Sequence, residues 1–244
     1  MNELSSLILT ILAGMATLIG YFTIFLNIDE NKIINFSLSL ASSVMLVISL
    51  LDLLPSSYLY LSNYNFFFRL LLLIFFFILG VFTSFYISYK ETKKENNSLK
   101  KIGIISLIAI ILHNIPEGIL TILITNVNIK LGINLALAIG MHNIPEGISI
   151  AIPYFYATKN KLKTFLLVFL AGFSEVFGAI LALLFAKYFF HNFFIGCCLS
   201  FIAGIMINIS LTKLLPKAIS YKKIKITFLG LIIGIFIMLL NHLL

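Results

Sequence analysis

Apolar runs of about 20 residues recur along the whole chain, and that recurrence leaves few folds open. A run of this length crosses the hydrocarbon of a bilayer as a helix, because each backbone N–H and C=O must find its partner inside the segment. The expectation is an all-α integral membrane protein. Runs at 5–26, 35–58, 66–88, 101–125, 131–155, 163–186, 192–215 and 224–243 predict eight transmembrane helices, so that residues 1–244 form a single domain. The composition agrees, with 61% hydrophobic residues, 11% charged and a mean hydropathy of +1.10. The opening Met1-Asn2-Glu3 lacks a basic leader and a small-residue cleavage site, so the first span is expected to stay in the protein.

The net charge of +8 is distributed as a topology signal. Fourteen of the 17 Lys and Arg residues fall in the odd-numbered loops: Lys32 in the first, Lys90, Lys93, Lys94, Lys100 and Lys101 in the third, Lys159, Lys161 and Lys163 in the fifth, and Lys213, Lys217, Lys222, Lys223 and Lys225 in the seventh. Only Arg69, Lys130 and Lys187 lie on the other side. By the positive-inside rule the odd loops, including a short basic loop at 89–100, are cytoplasmic. Both termini are then extracytoplasmic, in a multi-pass protein of the cell membrane, and nucleic acid is not an expected partner. Cys197 and Cys198 are adjacent, which suits a disulfide poorly, and read as helix-packing residues. Phe66–Phe68 and Phe75–Phe77 read as surface toward lipid or neighbouring helices.

The chain also repeats itself. Met45–Pro55 and Met206–Pro216 agree at seven of eleven positions, and Leu12-Ala13-Gly14 with Gly20 matches Leu170-Ala171-Gly172 with Gly178. Spans 1–3 (residues 1–88) therefore correspond to spans 6–8 (163–244). An odd number of crossings separates the partners, so the copies run in opposite directions, the inverted arrangement of many secondary transporters. Between them, spans 4 and 5 (101–155) carry His-Asn-Ile-Pro-Glu-Gly-Ile twice, at 113–119 and at 142–148. The plan is 3+2+3.

Ionisable side chains inside hydrocarbon cost at least about 2.5 kcal/mol each, so two copies of a His/Glu pair imply a polar guest, and a metal cation fits best. His113 and Glu117 are four residues apart, as are His142 and Glu146, and each pair projects from one helix face. Asn114 and Asn143 offer amide oxygens on the adjoining flank. Pro116 and Pro145 predict bends near Leu112 and Met141 that leave backbone oxygens free to line a cavity. Gly118 and Gly147 are expected to let these two helices approach each other closely. The nitrogen and oxygen donors suit Zn, Fe(II) or Mn. They exceed what one tetrahedral zinc needs, and two adjacent ions bridged by Glu117 and Glu146 would use them better. Glu175, whose repeat partner is Thr17, is the best further ligand, and Asp52 is a candidate entrance residue. Met45 and Met206 could supply thioethers, although packing is the simpler reading. His191 and His242 fall at outer helix ends and are left out of the site.

These residues resemble the ZIP family of divalent-metal transporters, particularly its bacterial ZupT-like branch. The two His-Asn-x-Pro-Glu-Gly motifs carry the likeness, with Gly14-x-x-Thr17-x-x-Gly20 and the Leu-Leu-Pro ends of spans 2 and 7. The resemblance covers essentially the whole chain. It implies eight helices, external termini and a binuclear mid-membrane site, with His113, Asn114, Glu117, His142, Asn143, Glu146 and Glu175 at ligand positions. Two features depart from the family pattern: the loop at 89–101 has no histidine, and Val176 follows Glu175 where the family usually has proline.

The expected function is divalent metal transport, most simply zinc uptake into the cytoplasm, with Fe(II), Mn, Co and Cd as further substrates. The alternatives are an intramembrane zinc hydrolase and a channel-like or proton-coupled cation carrier. The hydrolase is the weaker because no His-Glu-x-x-His helix is present. No catalytic cofactor is expected. Divalent metal ions and the lipid bilayer are the expected partners, with a homodimer left open.

Overall fold

A computed structural model describes residues 2–94, 98–189 and 191–242, with side chains described for all of these except 2, 90–94, 186–189, 241 and 242. The described residues form eight rods of helix and no strand. Rod α1 joins Asn2–Met15, Thr17–Tyr21 and a 3-10 turn at Phe22–Phe25. Rod α2 joins Glu30–Ile48, a π turn at Ser49–Leu53 and Leu54–Tyr60. Then come α3 (Phe66–Lys94), α4 (Ser98–Val127), α5 (Ile129–Thr158) and α6 (Lys161–Phe189). Rod α7 joins Asn192–Ile209, a π turn at Ser210–Leu214 and Leu215–Ser220, and α8 is Ile224–His242. Seven rods are long and apolar enough to cross a membrane, and the described apolar stretch of α8, Ile224–Leu240, is shorter.

Local sequence sets the ends. Asp29 accepts from Lys32 N at 3.0 Å to start α2, and Asn65 accepts from Phe68 N at 2.9 Å to start α3. Asn128 accepts from Lys130 N at 2.9 Å, so one residue separates α4 from α5. Lys159 takes the left-handed conformation that closes α5, and Asn160 caps α6. The loop expected at 89–100 is the main departure. There α3 continues to Lys94 and α4 begins at Ser98, because Lys and Glu sustain a helix after the apolar run has ended. Residues 95–97 lie outside the described set, as do the side chains of Lys187 and His242.

The internal repeat is visible in the packing. Rod α2 packs along α8 and α7 along α3; α1 packs along α5 and α6 along α4; and α4 and α5 pack on each other. Exchanging 1 with 6, 2 with 7, 3 with 8 and 4 with 5 reproduces this pattern. The π turns obey the same exchange, since Ser49–Leu53 and Ser210–Leu214 occupy matching positions in the eleven-residue repeat. Each lies just before a proline, Pro55 or Pro216, whose ring crowds the carbonyl four residues back; the widened turn relieves that crowding. Helices α4 and α5 are continuous through Pro116 and Pro145.

One expectation needs correcting. Gly118 and Gly147 do permit close approach, but to α6 and α1 rather than to each other. A Cβ at Gly118 would overlap the carbonyl of Glu175, and one at Gly147 the carbonyl of Thr17. The helical period explains this, because a glycine one residue past the glutamate is turned about 100° from the His/Glu face. Gly14 and Gly172 meet in the same way, each against the other's carbonyl.

Phe66, Phe67, Phe68 and Phe75 are exposed on α3, as a lipid-facing surface requires, while Phe76 packs near Leu61, Leu72 and Cys197. Cys197 and Cys198 are free thiols, the first buried and the second half-buried. On the lysine-rich face, Lys159 pairs with Glu30 at 2.9 Å and Lys223 with Asp29 at 3.6 Å. These half-exposed pairs are worth about 1 kcal/mol at most.

Candidate metal centre

The four-residue spacing does what helix geometry demands. His113 and Glu117 share one face of α4, His142 and Glu146 share one face of α5, and the two faces meet. Oε1 of Glu117 lies 3.0 Å from Nε2 of His113 and 3.0 Å from Nε2 of His142. Oε1 of Glu146 stands 3.9 Å from Nε2 of His113, and the two imidazole centroids are 5.9 Å apart. One ligand atom each from His113, His142 and Glu146 falls within a span of 4.8 Å, close enough to share an ion. All four side chains are buried.

The hydrogen bonds show which atoms the fold has spent and which it has kept. Asn114 donates its amide to Ala171 O at 3.0 Å, and Asn143 donates to Ala13 O at 2.9 Å, two contacts related by the internal exchange. Each amide is thereby fixed with its oxygen left over. Asn143 also donates to Oε2 of Glu175 at 2.9 Å, which brings the α6 carboxylate to the α5 flank. Thr17, its counterpart in α1, turns its hydroxyl to Gly14 O at 2.7 Å. The symmetry therefore breaks at this position, and one flank alone carries the additional carboxylate.

Most of the buried polar atoms without a hydrogen-bond partner among the described residues gather here: Nδ1 of His113, Oδ1 of Asn114 and of Asn143, Oε2 of Glu117, both oxygens of Glu146 and Oε1 of Glu175. Leaving one such buried group unsatisfied costs about 1–3 kcal/mol, and more when it is charged. A cluster of them is the expected signature of donors held for a cation.

A cavity of about 240 Å³ leads to the cluster, with Glu117 and His142 at its inner end. Asp52, Ser56 and Tyr60 of α2 line it toward the face opposite the lysines, together with Leu120 and Leu135. Asp52 thus borders the approach to the cluster. Ser56 and Tyr60 were not singled out in the sequence, although Asp52, Ser56 and Tyr60 are a polar stripe at four-residue spacing on an apolar helix. Met45 and Met206 are fully buried in the apolar core and do not line this cavity. His191 stands just before α7 without a side-chain capping hydrogen bond and lines a separate pocket with Tyr60 and Asn63.

Residues 88–242 match the family model described as ZIP Zinc transporter. The chain is 35% identical to a protein named zinc transporter ZupT from Oceanobacillus iheyensis, in an alignment that covers 100% of this chain and 98% of that protein. It is 33% identical to the zinc transporter ZupT of Clostridium perfringens, covering 100% of this chain and 96% of the other. The zinc transporter ZupT of Campylobacter jejuni is likewise 33% identical, over 97% of this chain and 94% of its own length.

Proposed function

The chain belongs to the ZIP family of zinc transporters, and on that premise we propose that it takes zinc into the cytoplasm through a mid-membrane site for two ions. Members of this family are transporters and not enzymes, so the hydrolase alternative falls. The observation that carries the reading is the buried cluster in which carboxylate and amide oxygens without hydrogen-bond partners converge on two imidazoles that share one carboxylate oxygen.

In this reading His113, His142 and Glu146 hold one ion, and Glu117 reaches it through the oxygen already placed against both imidazoles. The remaining oxygen of Glu117, with Glu175 and the Asn114 and Asn143 amide oxygens, serves a second ion on the side of α6. These donors accept Zn, Fe(II), Mn, Co or Cd, and geometry and availability select among them. The lysine-rich face is cytoplasmic and both termini are outside. The cavity opens on the opposite face, which supports capture from outside. An ion passing Asp52 gives up its water to the ligands, and a rearrangement of the two repeats then exposes the site to the other side.

Zinc uptake into liposomes containing only this protein tests the proposal. Glu117→Ala and Glu146→Ala should each abolish uptake at normal expression, and full uptake by both would remove the proposal. Flux that follows membrane voltage and ignores a proton gradient would shift the reading from carrier to channel.

A further inference from the structure

The cavity has a counterpart that is closed. Applying the internal exchange to its walls carries Asp52 and Ser56 of α2 onto Lys213 and Lys217 of α7, Leu120 of α4 onto Ser149 of α5, and Leu135 of α5 onto Ser106 of α4. Leu120 and Leu135 are half-buried, as residues beside an open space are, whereas Ser149 and Ser106 have no exposure at all. The site is therefore open toward one face and packed shut toward the other.

Two observations mark the closed side as built to open. The first is Ser106, whose hydroxyl is fully buried and makes no hydrogen bond, an arrangement that costs free energy unless water or an ion reaches it in another state. The second is a pocket of about 370 Å³ already present between α4 and α7 at the lysine-rich face. Lys101, Lys213 and Lys217 line it, and its apolar wall reaches Ile105, the neighbour of Ser106. Among the described residues no acidic side chain lines this pocket, and Asp29 and Glu30 on the same face pair with Lys223 and Lys159.

We infer that this α4–α7 groove is the release path, that Ser106 and Ser149 face the leaving ion when it opens, and that Lys213 and Lys217 drive the ion outward. The inference rests on the zinc-carrier reading and adds a direction to it. One slot of the repeated π turn holds a carboxylate, Asp52, where a dilute cation must be gathered, and an ammonium, Lys213, where it must be let go. Like charges at the exit lower the affinity for zinc there and oppose its return.

The test uses the full chain with Cys197→Ser and Cys198→Ser, and a membrane-impermeant thiol reagent applied to cells or to inverted vesicles. Ser106→Cys should react only from the lysine-rich face, and Leu135→Cys, its mirror position, only from the opposite face. A Ser106→Cys protein that carries zinc yet reacts from neither face, or only from the opposite one, overturns the path. In liposomes Lys213→Asp should slow zinc uptake several-fold while the zinc bound per chain stays the same. The Lys213→Ser/Lys217→Ser double variant, which adds no new charge, should act in the same direction and keeps the test alive if Lys213→Asp does not fold. Unchanged uptake in the variants beside an active wild type refutes the role of the lysines, whereas no uptake by the wild type refutes the carrier reading itself.

Discussion

Nε2 of His142 on α5 lies 3.0 Å from Oε1 of Glu117 on α4, and Nε2 of His113 approaches the same oxygen equally closely. One carboxylate oxygen thus joins the two copies of the motif. Glu117→Gln keeps the side chain's size but removes the charge and one acceptor. Zinc affinity should fall more than tenfold, above about 1.4 kcal/mol. Titration of purified protein with zinc measures this, and a variant that binds like wild type would show that Glu117 only orders the apo site.

The broken symmetry at Glu175 and Thr17 separates the two proposed ions. Elemental analysis of wild type should find two zinc ions per chain, and Glu175→Gln should keep one, because His113, His142 and Glu146 suffice to gather an ion without Glu175. A wild type that saturates at a single ion would reduce the centre to one site.

Much of this was legible because polar letters in hydrocarbon are expensive and therefore informative. The twin motif, the 3+2+3 order and the pairing of Met45–Pro55 with Met206–Pro216 all follow from letters that lipid would otherwise exclude. Legibility failed where the outcome depends on which neighbour a face meets. Gly118 and Gly147 were assigned to the wrong partners because spacing gives a direction around one helix but not the identity of the helix standing there. The π turns at Ser49–Leu53 and Ser210–Leu214 were missed although both prolines were noted, since crowding by a proline can be relieved by a bend or by a wider turn. Asn114 and Asn143 looked like plain ligands, and only the packed structure shows their amides fixed by Ala171 and Ala13.

The glycine contacts make a graded prediction. Gly118→Ala and Gly147→Ala each push a methyl group into a backbone carbonyl of the adjacent helix, which has little room to retreat. Each should cost about 1–3 kcal/mol by overpacking. Gly140→Ala should be tolerated, because the nearest atom to an added Cβ there is 3.7 Å away. Thermal unfolding of the three variants in one detergent ranks them, and equal stability of all three would mean that the helices shift freely.

Asp52 borders the approach to the site without joining the inner cluster, so its charge should govern arrival rather than holding. A carboxylate beside a cavity raises the local concentration of cations and speeds their capture, and changing a rim charge acts mainly on the association rate. Asp52→Asn should therefore slow uptake a few-fold when zinc is scarce, leave the rate at saturating zinc nearly unchanged, and bind as much zinc per chain as wild type. The defect should also fade with salt. At about 0.01 M ionic strength the screening length is about 30 Å and the charge acts along the whole approach, whereas at about 1 M it is about 3 Å and wild type should fall toward the variant. Uptake measured against zinc concentration at the two ionic strengths decides the matter. A loss at saturating zinc that salt does not alter would make Asp52 a ligand in the transport cycle instead of an electrostatic guide.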